Sequence, residues 1–319
     1  MKKNVFITGA AGFIGFHLAT KLGARGDYVI GYDNFNDYYS PQLKKDRVKA
    51  LLKLGIEVIE GDICDKERLH ESIKKHAVTH IVHMAAQAGV RYSLTHPESY
   101  VHSNLDGFLN ILEACRHFST KLTYASSSSV YGLNRKIPFA EEDRTDQQAS
   151  LYGATKKANE LMAFSYHHLY KISATGLRFF TVYGPWGRPD MAYYSFSKAI
   201  LEGRPLELFN NGQMQRDFTY IDDIVAGTIA AIDREAPYEI FNLGNHRPEQ
   251  IGRLIELLEK FLDRKADKIL LPMQPGDVEA TYADIEHSRS VLGFEPKVSI
   301  EEGLKKFVDW FLTYTHVNN

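Results

Sequence analysis

Tyr152 and Lys156 stand four residues apart in Tyr152-Gly153-Ala154-Thr155-Lys156, a spacing that puts both side chains on one face of a helix. A free phenol titrates at about 10, too high for an efficient base near neutral pH. A neighbouring ammonium favours the phenolate and should lower that value, letting Tyr152 take a proton from a hydroxyl. Such pairs are common on helix surfaces. This one becomes specific because it follows a serine run, Ser126–Ser129, at the end of an apolar segment that reads as a strand. Ser127 would orient the reacting hydroxyl.

A second constellation lies at the start of the chain. Thr8-Gly9-Ala10-Ala11-Gly12-Phe13-Ile14-Gly15 sits between a first strand and a first helix. Gly9 permits a tight turn, Gly12 lets a backbone approach a pyrophosphate, and Gly15 allows close helix–strand packing. The helix N-terminus behind them offers free N–H donors and the positive end of its dipole. Asp33 ends the second strand, where a carboxylate accepts hydrogen bonds from a ribose diol and repels a 2′-phosphate, so NAD is favoured over NADP. Asp62, in Gly61-Asp62-Ile63 after the third strand, could face adenine. With a nicotinamide cofactor present, Lys156 can also bond its ribose.

The elements that must position these groups alternate. Strands read at Asn4–Thr8, Tyr28–Tyr32, Glu57–Glu60, His80–His83, Lys121–Ala125 and Ser173–Phe179, with helices at Phe13–Gly23, Lys66–His76, Ser103–Phe118 and Tyr152–Tyr170. Apolar strands between helices imply βαβ units and right-handed crossovers. The expected fold is α/β, a Rossmann-like doubly wound parallel sheet with a smaller C-terminal α/β domain. After Thr181 the rhythm breaks at Gly184, Pro185, Gly187 and Pro189. Helices then read at Tyr193–Leu201, Pro248–Leu262 and Ser299–Tyr314, with a short strand at Glu207–Phe209. The expected division is a nucleotide domain over residues 1–181, to which 222–244 return, and a substrate domain over 182–221 and 245–319.

Composition narrows the partners. The 319 residues carry 38 basic and 40 acidic side chains, a formal charge of −2, so there is no global field for nucleic acid or an anionic membrane. No run of 18 apolar residues suggests a membrane span. The apolar stretch after Lys2 and Lys3 holds three glycines and no convincing cleavage site, unlike a signal peptide. Two cysteines, Cys64 and Cys115, outside any C-x-x-C, fit a reducing cytoplasm. The thirteen histidines include no H-E-x-x-H, and no metal site is expected.

These residues resemble the extended short-chain dehydrogenase/reductase family over nearly the whole chain. The resemblance rests on the glycine turn, Asp33, Gly61-Asp62-Ile63, His83-Met84-Ala85-Ala86, Ser126–Gly132, Tyr152–Lys156 and Arg216-Asp217-Phe218. Within the family the chain is similar to the NAD-dependent nucleotide-sugar 4-epimerases, and specifically those acting on UDP-glucuronate. Asp37-Tyr38-Tyr39, the segment Gln87–Ser93 and the segment Thr181–Ala192 carry that narrower match. The resemblance implies an isomerase with retained NAD, a UDP-sugar under the cap, and a homodimer formed through paired helices over 103–118 and 152–170. It implies cofactor contacts from Gly9, Gly12, Phe13, Ile14, Gly15, Asp33, Asn34, Asn36, Asp62, Ile63, Gln87, Tyr152 and Lys156. Ser127, Tyr152 and Lys156 would be catalytic. Substrate contacts are expected from Arg91, Ser127, Ser128, Ser129, Tyr152, Thr181, Arg188 and Arg216.

Family membership does not fix the reaction. Oxidation at sugar C4 can lead to dehydration, decarboxylation or re-reduction from the other face. Related dehydratases carry Asp-Glu just before Val-Tyr-Gly, and related decarboxylases a Glu; here Ser128-Ser129 precede Val130-Tyr131-Gly132. Re-reduction, and so conversion of UDP-glucuronate to UDP-galacturonate, is the simplest remaining course. Neutral hydroxyls of Ser127–Ser129 and Thr181 could hold the uronate carboxylate away from a decarboxylating geometry, although Thr181 could also simply end a strand. Arg188 and Arg216 suit the diphosphate, and Arg91 would lie near the sugar or gate the cleft. Gln274 stands where many relatives carry Arg. A UDP-glucose or UDP-N-acetylhexosamine 4-epimerase is the alternative enzyme, and a non-catalytic NAD-binding regulator the alternative class.

Overall fold

The computed structural model describes residues 2–273 and 280–318. Its strands are β1 (Asn4–Thr8), β2 (Tyr28–Asp33), β3 (Glu57–Glu60), β4 (His80–His83), β5 (Lys121–Ser127), β6 (Ala174–Phe179), β7 (Thr181–Tyr183), β8 (Leu206–Leu208), β9 (Gln215–Tyr220), β10 (Tyr238–Leu243), β11 (Pro248–Gln250), β12 (Lys268–Leu270) and β13 (Ala280–Thr281). The helices are α1 (Phe13–Arg25), α2 (Pro41–Lys53), α3 (Lys66–Lys75), α4 (Pro97–Tyr100), α5 (Gly107–Phe118), α6 (Leu151–Tyr170), α7 (Ala192–Glu202), α8 (Ile221–Arg234), α9 (Ile251–Leu262), α10 (Glu286–Leu292) and α11 (Ile300–Asn318).

Seven strands form one parallel sheet in the order β10-β6-β5-β4-β1-β2-β3. Val5, Phe6 and Ile7 of β1 are almost wholly buried, as strands covered by helices on both faces must be. The strand order reverses at β1, which pairs with β2 on one side and β4 on the other. The crevice beyond the carboxyl ends of the strands at such a switch point is where this architecture takes its ligands. The α/β doubly wound fold expected from the sequence is the fold observed.

After β7 the chain builds a smaller sheet, in which β9 pairs with β7, β11 and β13, and a separate pair of β8 with β12. Between these, α8 packs on α1, and β10 joins the large sheet by pairing Tyr238–Leu243 with Ala174–Phe179. Trp186, Trp310 and Tyr314 form an aromatic cluster, with ring centroids 5.4 and 5.5 Å from Trp186, which ties α11 to the loop after β7.

Beyond the short elements α4, α10, β7, β9, β12 and β13, which the sequence reading does not place, three differences bear on the architecture. Helix α2 was not foreseen, because its lysines and arginine obscure the buried stripe of Leu43, Arg47 and Leu51. The helix expected over Ser103–Phe118 is wound as a π-helix over Val101–Asp106 before α5 begins at Gly107. Pro248 opens β11 rather than a helix, since it pairs antiparallel with Asp217 of β9, and α9 starts at Ile251.

Candidate functional site

The cleft at the switch point is lined on one side by the glycine turn. Gly9 has φ +72°, and a Cβ there would lie 2.7 Å from the Ala85 amide nitrogen; a Cβ on Gly15 would lie 2.2 Å from the Gly9 carbonyl oxygen. The turn is therefore closed against the β4 loop, and only bare backbone fits between strand and helix. Gly9, Gly12, Phe13, Ile14 and Gly15 all reach the cleft wall at the N-terminus of α1. A pyrophosphate fits this cradle of free N–H groups.

Asp33 lies at the end of β2, buried, with Oδ2 accepting from the Ala11 amide at 3.0 Å and Oδ1 from the Phe35 amide at 2.9 Å. Burial pushes its carboxyl up, offset by the Phe35 amide and by the Lys44 charge. Each oxygen keeps a second lone pair for a ribose diol. Asn34, Asn36 and Ile63 also line this end of the cleft. Asp62, half-buried, is not among the lining residues: its Oδ2 accepts from Asn34 Nδ2 and its Oδ1 from the Cys64 amide, both at 2.8 Å. Asp62, Cys64 and His102 bring one ligand-type atom each within 4.8 Å of one another, but the Cys64 thiol donates to the His102 carbonyl at 3.2 Å.

Across the cleft, β5 extends to Ser127 and delivers the serine run. Ser127 Oγ accepts from the Ser129 amide at 3.1 Å and lines the cleft together with Tyr152. Burial raises the Tyr152 phenol, offset first by Ser127 and then by the Arg188 charge, so the simple expectation of a lowered phenol does not describe the protein without ligand. Lys156 is buried one turn along α6, donates to the Ala125 carbonyl at 2.8 Å, and is lowered by burial to about 8. His83, next to it, is driven to about 3 by burial and the Lys156 charge. It stays neutral, 2.8 Å from Thr8 Oγ1.

Asn104 braces this wall. Its Oδ1 accepts from the Gln87 amide at 2.8 Å, while Nδ2 donates to the Gln87 carbonyl and to Thr155 Oγ1, both at 3.0 Å. The π-wound turn thus ties the Gln87 loop to the helix bearing Tyr152 and Lys156. Ser128, Ser129, Thr181, Arg188 and Gln87 line the same cleft.

Besides Asp62, two expected contacts are not on its wall. Arg91 is exposed at the start of a short turn, although its neighbours Gly89 and Val90 are on the wall. Arg216 lies half-buried on β9, with its guanidinium donating to the Gln215 carbonyl at 2.8 Å. Gln274 falls outside the described residues. Sequence reasoning missed Tyr38, Lys44 and Met191 on the wall. It also missed Arg47, which donates to the carbonyls of Ala11 (2.8 Å), Trp186 (2.6 Å) and Gly187 (3.2 Å). A signal for Arg47 was available: it falls midway between Leu43 and Leu51 on the buried stripe of α2.

A phenol, a serine hydroxyl and a buried lysine thus share a cleft with a dinucleotide-type turn. That arrangement suits oxidation and reduction at a hydroxyl-bearing carbon. Residues 5–244 match the NAD dependent epimerase/dehydratase family, and the chain belongs to that family. It is 52% identical to UDP-glucuronate 4-epimerase 4 of Arabidopsis thaliana, over 98% of this chain and 76% of that one. It is 50% identical to UDP-glucuronate 4-epimerase 1 of the same plant, over 99% of this chain and 78% of that one. Among solved structures, UDP-glucuronic acid 4-epimerase from Bacillus cereus, in complex with UDP-glucuronic acid and NAD, superposes with a TM-score of 0.90 at 35% identity, over 98% of this chain and 100% of that one. The resemblance read from the sequence is borne out.

Proposed function

We propose that the protein converts UDP-glucuronate to UDP-galacturonate through a transient 4-keto sugar, with NAD as its resident cofactor. One observation carries the choice of reaction. Among the described residues lining the cleft the one acid is Asp33, whose oxygens accept from Ala11 and Phe35 at the far, adenosine-type end. Among the described residues no carboxyl group lines the cleft beside Ser127–Ser129 to assist elimination, so the keto sugar is left to be reduced again.

In this reading the turn Gly9–Gly15 holds the pyrophosphate of NAD and Asp33 its adenosine ribose, and NAD supplies a hydride acceptor and donor for sugar C4. Tyr152 Oη takes the proton of the C4 hydroxyl and returns it to the other epimer. Ser127 holds that hydroxyl in line, and Lys156, anchored on the Ala125 carbonyl, presents its charge to the phenolate. Ser127, Ser128, Ser129 and Thr181 bind the uronate carboxylate through neutral hydroxyls. Arg188 serves the diphosphate or the sugar. Residues 1–181 with 222–244 form the cofactor domain, and 182–221 with 245–319 the substrate domain.

We further infer a homodimer, supported by exposed Leu109 on α5 and exposed Leu161, Phe164 and Leu169 on α6, an apolar surface suited to a second copy. A cytoplasmic setting is supported by the two free thiols.

The test is incubation of purified protein with UDP-glucuronate and no added cofactor, followed by separation of nucleotide sugars. UDP-galacturonate is the expected product. UDP-pentose as the main product, or conversion of UDP-glucose or UDP-N-acetylhexosamine alone, would overturn the reading.

A further inference from the structure

The fold brings three ligand-type side chains together where the sequence shows no metal motif. Asp62 and Cys64 stand on the loop after β3, and His102, 38 residues beyond Cys64, on the π-wound turn. A carboxylate oxygen of Asp62, the Cys64 Sγ and a ring nitrogen of His102 lie within 4.8 Å of one another, the one such group of three among the described residues. Two of the three are already held. The Asp62 carboxylate is oriented by Asn34 Nδ2 and the Cys64 amide, both at 2.8 Å. The Cys64 Sγ rests against the start of α5, where a Cβ on Gly107 would lie 3.4 Å from it. Asn110 fastens the same loop, its Nδ2 donating to the carbonyls of Ile63 (3.0 Å) and Cys64 (3.3 Å). His102 is exposed, so its ring can turn toward the other two.

We propose that Asp62, Cys64 and His102 form a site for a thiophilic divalent cation of the zinc class, with solvent in the fourth position. Thiolate and imidazole select such an ion over magnesium or calcium, which take oxygen ligands. The charges balance. The thiol gives up its proton on binding, so one thiolate and one carboxylate offset the two positive charges of the ion, and His102 ligates as the neutral imidazole. The thiol's bond to the His102 carbonyl, 3.2 Å long, is given up with that proton. Ligand lengths of about 2.0–2.3 Å put neighbouring ligand atoms around a tetrahedral ion about 3.3–3.7 Å apart. Closing the group from within 4.8 Å therefore takes about 1 Å of side-chain movement by the same lengths. Asp106, four residues beyond His102, adds further negative charge near Cys64. A bound ion would tie the loop after β3, whose Asp62 holds Asn34 of the cleft wall, to the turn whose Asn104 bonds Gln87 and Thr155. Such a site stands apart from the reaction proposed above and uses none of its residues.

The probe is Co²⁺, whose bond to a thiolate absorbs in the near ultraviolet and whose tetrahedral complexes absorb strongly in the visible. The chain has two cysteines, Cys64 and Cys115, and Cys115 is wholly buried, so a thiolate band reports Cys64. Purified protein freed of metal by a chelator should take up one Co²⁺ per chain with that band, and Zn²⁺ should displace it. Cys64→Ser should abolish the band. His102→Asn and Asp62→Asn should each weaken Zn²⁺ binding by at least about 10-fold, the lower effect of losing even an outer partner of a metal ligand. Zn²⁺ should also raise the melting temperature of wild type more than that of Cys64→Ser, because a ligand of the folded state stabilises it. If Cys64→Ser does not fold, His102→Asn, a change at an exposed side chain, decides. Co²⁺ bound without a thiolate band, no uptake of either ion, or unchanged affinity in folded His102→Asn would overturn the proposal. Epimerase activity is not the readout, so failure here leaves the proposed function standing.

Discussion

Glu160 and Arg178 meet side chain to side chain beneath the serine run, Nε to Oε1 at 2.9 Å and Nη2 to Oε2 at 3.0 Å. Both are almost wholly buried. Glu160 lies one helical turn beyond Lys156 on α6 and also accepts from Ser126 Oγ at 2.7 Å, while Arg178 projects from β6 and donates to Tyr131 Oη at 3.0 Å. The pair joins the helix carrying Tyr152 and Lys156 to the strand next to the serine run. Removing one partner strands a buried charge, so Glu160→Gln should cost about 3–5 kcal/mol in chemical denaturation. A Glu160→Gln, Arg178→Met double variant should recover part of that loss.

The same pair sets an acid response. Burial opposes ionisation of Glu160, but the Arg178 bonds hold its carboxyl below the ordinary value of 4.5. The folded state therefore binds this proton less readily than the unfolded chain. The stability it contributes is complete above about pH 4.5 and is lost as the pH falls through the lowered folded value. The slope of stability against pH in that window should be shallower in Glu160→Gln than in wild type.

Tyr152→Phe should lower turnover by at least about 10²-fold, the lower range for acid–base catalysis, while UDP-sugar binding by calorimetry persists because the ring remains. Turnover near wild type in the folded variant would remove Tyr152 from the role of base.

Thr181→Ala should weaken use of UDP-glucuronate more than use of a neutral UDP-hexose. One hydrogen bond to a charged group corresponds to about 5- to 150-fold in an equilibrium constant. The variant should also release more UDP-pentose. Equal losses on both sugars, with an unchanged product ratio, would show that Thr181 does not read the carboxylate.

Arg47→Met should loosen the cofactor. The guanidinium bonds Ala11, within the glycine turn, and also Trp186 and Gly187 of the loop after β7, so it ties the turn to that loop. Mass spectrometry of denatured wild-type protein should find NAD near one per chain. The variant should fall well short after desalting and lose about 3 kcal/mol of stability. Full NAD occupancy in the variant would show that cofactor retention does not depend on Arg47.

The parts of this site legible in the sequence were those fixed by local spacing. Gly9, Gly12 and Gly15 mark a turn that only glycine can make, and Tyr152 and Lys156 share a helix face at any tertiary arrangement. Ser127 could be read because it ends a strand. Lys44 and Arg47 could not be read as easily, since buried cations on a polar helix look like solvated ones until their acceptors on other segments are known. Arg91 and Arg216 show the converse: residue type suited Arg216 to phosphate and Arg91 to the sugar or the cleft mouth, but the direction of a side chain depends on the surface around it. Asn104 carries no motif; its role comes from a helix wound one residue too wide. The small sheet around β9 was hidden for the same reason, because short strands such as β7 and β13 are defined by their partners.

The acid-poor cleft has a kinetic side. Among the described residues on its wall, Lys44, Lys156 and Arg188 are basic against the single acid Asp33, in a protein whose overall charge is slightly negative. Positive potential concentrated between low-dielectric walls draws a polyanion in faster than diffusion alone and resists its departure. Either epimer would then leave slowly, so a bound sugar nucleotide passes back and forth across the reaction many times before it escapes. Added salt, by screening that field, would shorten its stay and raise the Michaelis constant before it touched the chemical step.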